Sequence, residues 1–160
     1  MESLFMYAIY TDGASRGNPG NASWAFVVYR DDFELGYKSK AVDCDTNNAM
    51  ELMAIKEALA HVKKNLPKYS AAGGVTIFTD SAFCVNVITQ WMDGWESRNW
   101  QKKSPGPIKN LETIKEIWKL WHCVGAEVGN LQIAKVAGHS GNKGNERADS
   151  LCNEALDKMK

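Results

Sequence analysis

Two apolar runs in this chain, Leu4 to Tyr10 and Val75 to Thr79, lead into acids: Thr11-Asp12 closes the first and Thr79-Asp80 the second. A third acid, Glu51, precedes Ile55, Ala58 and Val62 by four, seven and eleven residues, which places it on the buried stripe of a helix. A fourth, Asp149, shares a stripe with Cys152 and Leu156. A carboxylate on an apolar stripe is rarely left unpaired, and like charges brought together need a proton or a cation between them. Oxygen-only ligands suit Mg2+ or Mn2+, and no Cys/His set competes for zinc. Two such ions about 4 Å apart would clamp the attacking and leaving oxygens of an in-line phosphoryl displacement.

Taken singly, each acid also has an ordinary reading. Asp12 before Gly13 suits an Asx turn, Asp80 before Ser81 a helix N-cap, Glu51 a capping box with an upstream Asn or Thr, and Asp149 a helix-edge charge. Convergence separates the two readings, and convergence depends on the elements. The pattern predicts strands at Leu4–Tyr10, Trp24–Arg30, Phe33–Ala41, Val75–Thr79 and Leu131–Val136. Between and after them it predicts a helix stopped by Pro67, helices through Val85–Trp95 and from about Pro107 to His122, and a last helix from about Lys143 to Lys158. The order β-β-β-α-β-α-α-β-α predicts an α/β domain with a five-stranded mixed sheet flanked by helices. Its first three strands run antiparallel, and the fourth and fifth lie parallel to the first. The carboxyl ends of adjacent parallel strands lie about 5 Å apart, at the edge where open α/β sheets bind ligands. Asp12 and Asp80 then meet there.

The 160 residues suit one domain spanning 1–160, and 44% hydrophobic with 24% charged residues is a globular rather than a disordered composition. The apolar run Leu4 to Tyr10 is too short to span a bilayer. Cys44, Cys84, Cys123 and Cys152 are scattered, which reads as reduced thiols of a cytoplasmic protein. Nineteen Lys+Arg balance nineteen Asp+Glu. The balance is uneven, because Ser97 to Leu111 holds Arg98, Lys102, Lys103 and Lys109 with no acid.

The segments Thr11-Asp12-Gly13-Ala14-Ser15 with Gly17-Asn18-Pro19-Gly20, Thr46-Asn47-Asn48-Ala49-Met50-Glu51-Leu52, Thr79-Asp80-Ser81, and Gly138-His139-Ser140-Gly141 with Asn145-Glu146-Arg147-Ala148-Asp149 follow one another in this order. They resemble ribonuclease H of the bacterial type 1 class, from Tyr7 to Leu156. The resemblance implies a ribonuclease H-like fold and endonucleolytic cleavage of the RNA strand of an RNA–DNA hybrid, leaving 3′-hydroxyl and 5′-phosphate ends. It implies two Mg2+ ions, with Mn2+ as a substitute, held by Asp12, Glu51, Asp80 and Asp149, in a monomer with no obligate protein partner. His139, among glycines before the helix bearing Asp149, is read as an accessory acid/base and product-release group.

Ser15, Asn18, Asn47 and Asn48 are small or amide residues able to reach 2′-hydroxyls in a wide minor groove. The resemblance assigns Asn18, Thr46 and Asn48 to nucleic-acid contacts, and Ser81 joins them beside Asp80. For Asn47 and Asn48, helix capping is the ordinary alternative. Trp91, Trp95 and Trp100 with Lys102 and Lys103 resemble the family's basic handle, an insertion at about 91–109. Trp91 and Trp95 are expected to stack within the helix, and Trp100 to lie against DNA sugars and phosphates. Asp93 and Glu96 dilute this handle, so weaker hybrid affinity or a steeper metal requirement is expected. Ala82 stands where the family pattern carries a longer polar residue, which removes one minor-groove contact. Two competitors are a DNA-cutting nuclease of the same superfamily and a non-catalytic hybrid-binding module; the second predicts loss of at least one metal acid, and all four are present.

Overall fold

In the computed structural model, which describes residues 5–136 and 141–159, strands β1 (Met6–Gly17), β2 (Gly20–Arg30), β3 (Phe33–Asp45), β4 (Gly74–Thr79) and β5 (Leu131–Lys135) form one sheet. Its order is β3-β2-β1-β4-β5. The β1–β2 and β2–β3 pairs are antiparallel, whereas β1–β4 and β4–β5 are parallel. Parallel neighbours need crossovers, and helices supply them. Helix α1 (Asn47–Lys64) and the short α2 (Leu66–Ser70), with Pro67 in its first turn, link β3 to β4. Helices α3 (Ala82–Asn86), α4 (Met92–Ser97) and α5 (Leu111–Glu127) lie between β4 and β5, and α6 (Lys143–Asp157) follows β5.

Leu52, Ile55, Leu59 and Val62 recur on one stripe of α1, and all are fully buried. They pack with Trp24, Phe26 and Val28 of β2, Ile77 of β4 and Ile114 and Ile117 of α5 in the larger core. The opposite residues of β2, Ala25, Val27 and Tyr29, pack with Ala148, Leu151 and Cys152 of α6. The strict alternation of β2 explains this division: odd positions serve α6 and even positions serve α1. At the seat of α6, a Cβ on Gly144 would overlap the Tyr10 ring.

Smaller shifts of bounds aside, with β2 beginning at Gly20, α1 ending at Lys64 and α5 spanning Leu111–Glu127, three expectations change. First, β1 does not stop at Tyr10. Its parallel pairing with β4 ends at Tyr10↔Phe78, but its antiparallel ladder with β2 continues from Thr11↔Phe26 to Gly17↔Gly20. Backbone hydrogen bonds do not depend on apolar side chains, so the polar stretch stays in the strand. Asp12 therefore lies inside β1, two residues past the end of the parallel ladder. Second, β3 runs on to Asp45 instead of ending near Ala41. Third, residues 82–97 form one helical run interrupted by a π-helical turn, Val87–Trp91.

The β1–α1 contact fixes the site. At Gly13 the two backbones touch, since a Cβ there would overlap the Glu51 nitrogen and the Met50 carbonyl carbon. Gly13→Ala must push α1 off the strand. We expect a loss of about 2 kcal/mol, read as a Tm lower by about 4–8 °C. Gly36→Ala, where the new Cβ meets nothing within 4 Å, should shift Tm by no more than about 2 °C. Equal melting of the two variants would refute the close approach.

Candidate metal centre and nucleic-acid interface

Each acid is held by an element whose local chemistry aims it. Beyond the end of the β1–β4 ladder, the Thr11 hydroxyl donates to the Phe78 carbonyl at 2.8 Å and keeps the strands together. Thr79 turns the chain after β4: its hydroxyl accepts from the Ser81 N–H at 3.1 Å, and its carbonyl accepts from the Val136 N–H at 2.8 Å. The two Thr-Asp dipeptides thus place their acids through their threonines. Thr46 caps α1 by accepting from the Ala49 N–H at 3.1 Å, which sets Glu51 in the helix's second turn.

Oxygens of Asp12, Glu51 and Asp80 lie within 4.8 Å of one another. They occupy a cleft of about 400 Å³ that Asp149 also lines, outside that tight set. Asp12 and Glu51 are buried. Burial, followed by the Asp80 charge, raises Asp12 from 3.8 to about 7. Burial first, and then Asp12, holds Glu51 well above the usual carboxylate range. Glu51 Oε2 has no hydrogen-bond partner among the described residues. A buried carboxylate oxygen without a donor is costly, and a divalent cation answers it. The donor set also fits: all three ligands are oxygens, as hard cations require. Cys84 lies nearby, but burial raises its thiol to about 12, so it stays protonated and does not compete.

The ordinary readings of Asp12, Asp80 and Glu51 do not hold, Asp12 standing in a paired strand rather than a turn. Ser81, not Asp80, caps α3, accepting from the Cys84 N–H at 3.2 Å. Thr46 supplies the α1 cap, so neither Asn47 nor Asn48 does. The Asn47 N–H instead donates to Asn18 Oδ1 at 3.0 Å, tying the β1–β2 turn to the start of α1. Among the expected substrate contacts, Asn18, Asn47 and Asn48 are exposed, and Ser15, Asn47, Asn48 and Ser81 line the cleft. The Ser15 hydroxyl donates to the Gly17 carbonyl. His139 lies outside the described residues.

A second depression, of about 500 Å³, is lined by Phe83, two residues after Ser81 of the first, with Trp91, Trp95, Arg98, Lys102, Lys103 and Lys109, among others. The π turn matters here. Eight residues of α-helix rotate a side chain by about 800°, which would set Trp91 some 80° away from Phe83. One extra residue in the wide turn returns the two to nearly the same face, and their rings lie 6.2 Å apart. Trp91 and Trp95 do pack together, at 5.9 Å.

Trp100 is half-buried. Asn99 and Trp100 both adopt positive φ, 58° and 61°, and the Trp100 ring stands edge-on to Trp118 at 6.1 Å. Trp91 is the exposed tryptophan. Asp93 precedes the basic segment, and its Oδ1 accepts from Trp118 Nε1 at 2.8 Å and lies 2.9 Å from His122 Nε2. It serves as a tie between α4 and α5. No spacing rule would have revealed it.

The sequence profile of the RNase H family matches residues 6–157. The chain is 41% identical over 154 residues to a ribonuclease H of Alcanivorax borkumensis, covering 95% of this chain and 92% of that one. It is 37% identical over 150 residues to a ribonuclease HI of Pseudomonas aeruginosa, covering 92% and 91%. In structure it resembles LC11-RNase H1, solved in complex with RNA/DNA hybrid, with a TM-score of 0.66 at 28% identity over 95% of this chain and 97% of that one. The isolated RNase H domain of prototype foamy virus shares the fold at a TM-score of 0.76 and 21% identity, covering 98% and 97%. This chain belongs to the RNase H family.

The raised carboxyls make a stability prediction. The folded protein keeps protons on Asp12 and Glu51 that the unfolded chain has already released, so stability declines as pH rises. For Asp12 the window runs from about pH 4 to about pH 7. In EDTA, Tm should fall across that window, Asp12→Asn should flatten the fall, and Mg2+ should restore Tm at pH 8. Parallel melting profiles for the parent and Asp12→Asn would show that the burial of Asp12 carries no such penalty.

Proposed function

We propose that this chain is an endoribonuclease that hydrolyses the RNA strand of RNA–DNA hybrids, leaving 3′-hydroxyl and 5′-phosphate ends. The observation that carries the reading is the gathering of Asp12, Glu51 and Asp80 in one cleft of an RNase H-family chain. Asp12, Glu51 and Asp80 would hold two divalent cations together with Asp149, Mg2+ or Mn2+. When bound, such ions activate the attacking water and neutralise charge at the leaving oxygen.

The chain's own residues do the rest. The acids stand on a paired strand, a strand end and two helices, so they are placed before substrate arrives and cost little to reorganise. Asn47, Asn48 and Ser15 present polar groups beside them, suited to the 2′-hydroxyls that distinguish RNA. The groove of Trp91, Trp95, Lys102 and Lys103 offers a flat apolar wall with cations for the other strand's sugars and phosphates. The cleft and the groove meet near the start of α3, where Ser81 lines one and Phe83 the other. One duplex laid across that junction would present the RNA to the acids and the DNA to the groove. His139 is assigned the accessory proton transfer and product release. The working unit is a monomer, one domain with the basic handle at about 91–109, acting in the cytoplasm.

Asp80→Asn should reduce hybrid cleavage at least about a thousandfold while the protein still folds and binds hybrid. Cleavage of hybrid, all-DNA and all-RNA duplexes in Mg2+ measures the substrate class; preferred cutting of all-DNA would favour a DNA nuclease of the same superfamily. Hybrid binding with no metal-dependent cleavage would favour a non-catalytic module. Lys102→Ala and Lys103→Ala together should raise KM with kcat little changed, and each should lower the slope of log affinity against log salt by about one. An unchanged salt slope would remove the lysines from the interface.

A further inference from the structure

Helix α6 carries Asp149, the one acid outside the tight set, and its seat on the sheet decides where that acid stands. Two fully buried polar side chains make that seat specific. The Ser23 hydroxyl of β2 donates to the Cys152 carbonyl at 2.8 Å, and the Cys152 thiol donates to the carbonyl of Asp12 at 3.4 Å. Cys152 follows Asp149 by three residues, so the two share a face of α6. Ser23 pairs with Ala14, two residues beyond Asp12 in β1. The backbone of the first acid and the helix of the fourth are therefore joined directly, between side chains that are fully buried.

Apolar packing alone would not give this register. Ala148 and Leu151 hold α6 against β2, but dispersion contacts are non-directional and tolerate small slides and rotations. Hydrogen bonds to fixed carbonyls do not tolerate them. The thiol is also inert as a nucleophile or ligand, because burial raises its pKa, which leaves donation as its chemistry.

We propose that Ser23 and Cys152 are positioning residues for the metal centre: their bonds lock α6 to β2 and to the Asp12 backbone and thereby set the reach of Asp149. The inference rests on the reading of Asp149 as a cation-holding acid. Calorimetric titration of Mn2+ into substrate-free protein tests it, with Tm recorded for every variant. Cys152→Ala and Ser23→Ala should each weaken Mn2+ binding about tenfold, and Cys152→Ser, which keeps a donor at the position, should restore most of it. In an Asp149→Asn background, Cys152→Ala should cost nothing more, because it acts through Asp149. A lower Tm with unchanged Mn2+ affinity would reduce both residues to packing and overturn the proposal. So would a loss that persists undiminished in the Asp149→Asn background. If Asp149→Asn alone leaves Mn2+ affinity unchanged, the reading of Asp149 falls and this proposal with it. If that substitution weakens binding while Cys152→Ala and Ser23→Ala do not, only the positioning role falls.

Discussion

Asp12 and Glu51 are pressed together under the surface with an oxygen left unpaired among the described residues, and the rest of the architecture exists against that cost. Two carboxyls in such a place cannot both ionise cheaply. The protein without cations carries the cost as protons: burial first of all raises Asp12 to about 7 and holds Glu51 well above the usual carboxylate range. A cation must displace those protons, so affinity for it rises with pH. The penalty is the other face of preorganisation, since a site that relaxed when empty would have to be rebuilt at each loading.

What prevents relaxation is backbone. Asp12 belongs to a strand paired with β2 on one side and tied to β4 through the Thr11 hydroxyl on the other. Glu51 belongs to an 18-residue helix whose backbone touches that strand at Gly13. A side chain at that position would separate the two acids before any other contact was lost. The hydroxyls around the cleft serve the same purpose. Thr46, Thr79 and Ser81 all accept from backbone N–H groups, and Thr11 and Ser15 donate to backbone carbonyls. The exposed amides of Asn47 and Asn48 are thus the cleft's most available polar groups.

Much of this was legible in the residues. Apolar runs and crossover logic gave the strands and their directions, and acid placement at strand ends and a helix stripe gave the cluster of Asp12, Glu51 and Asp80. The misreadings share a physical cause, which is that backbone geometry leaves weak traces in side-chain pattern. The extension of β1 past Asp12 is built from Gly, Ser and Arg, residues that read as a turn, yet β2 supplies their hydrogen bonds. The choice of Thr46 over two asparagines as cap turned on a one-residue difference in where α1 begins. Two consecutive positive φ angles accompany the edge-on packing of Trp100 and Trp118, and the π turn that aligns Phe83 with Trp91 has no periodicity of its own. The Ser23–Cys152 pair is 129 residues apart in the chain, a contact no local pattern reports.

A chain of zero net charge is an unpromising binder of a polyanion only if charge is averaged over the molecule. At physiological salt the Debye length is about 8 Å, so the charges that count are those lining the surface in question. The groove gathers Arg98, Lys102, Lys103 and Lys109, whereas Asp93, one of the two acids that precede them, is turned to Trp118 and His122. The acidic cleft next to it repels phosphate until cations are present. In the proposed reading the two surfaces therefore act unequally: the groove can hold a strand at any time, and the cleft accepts the other strand only once loaded. A duplex engaged by one strand first is already aligned when the second becomes bindable, and segregating opposite charges on adjoining surfaces achieves this where a uniformly basic protein would grip both strands alike.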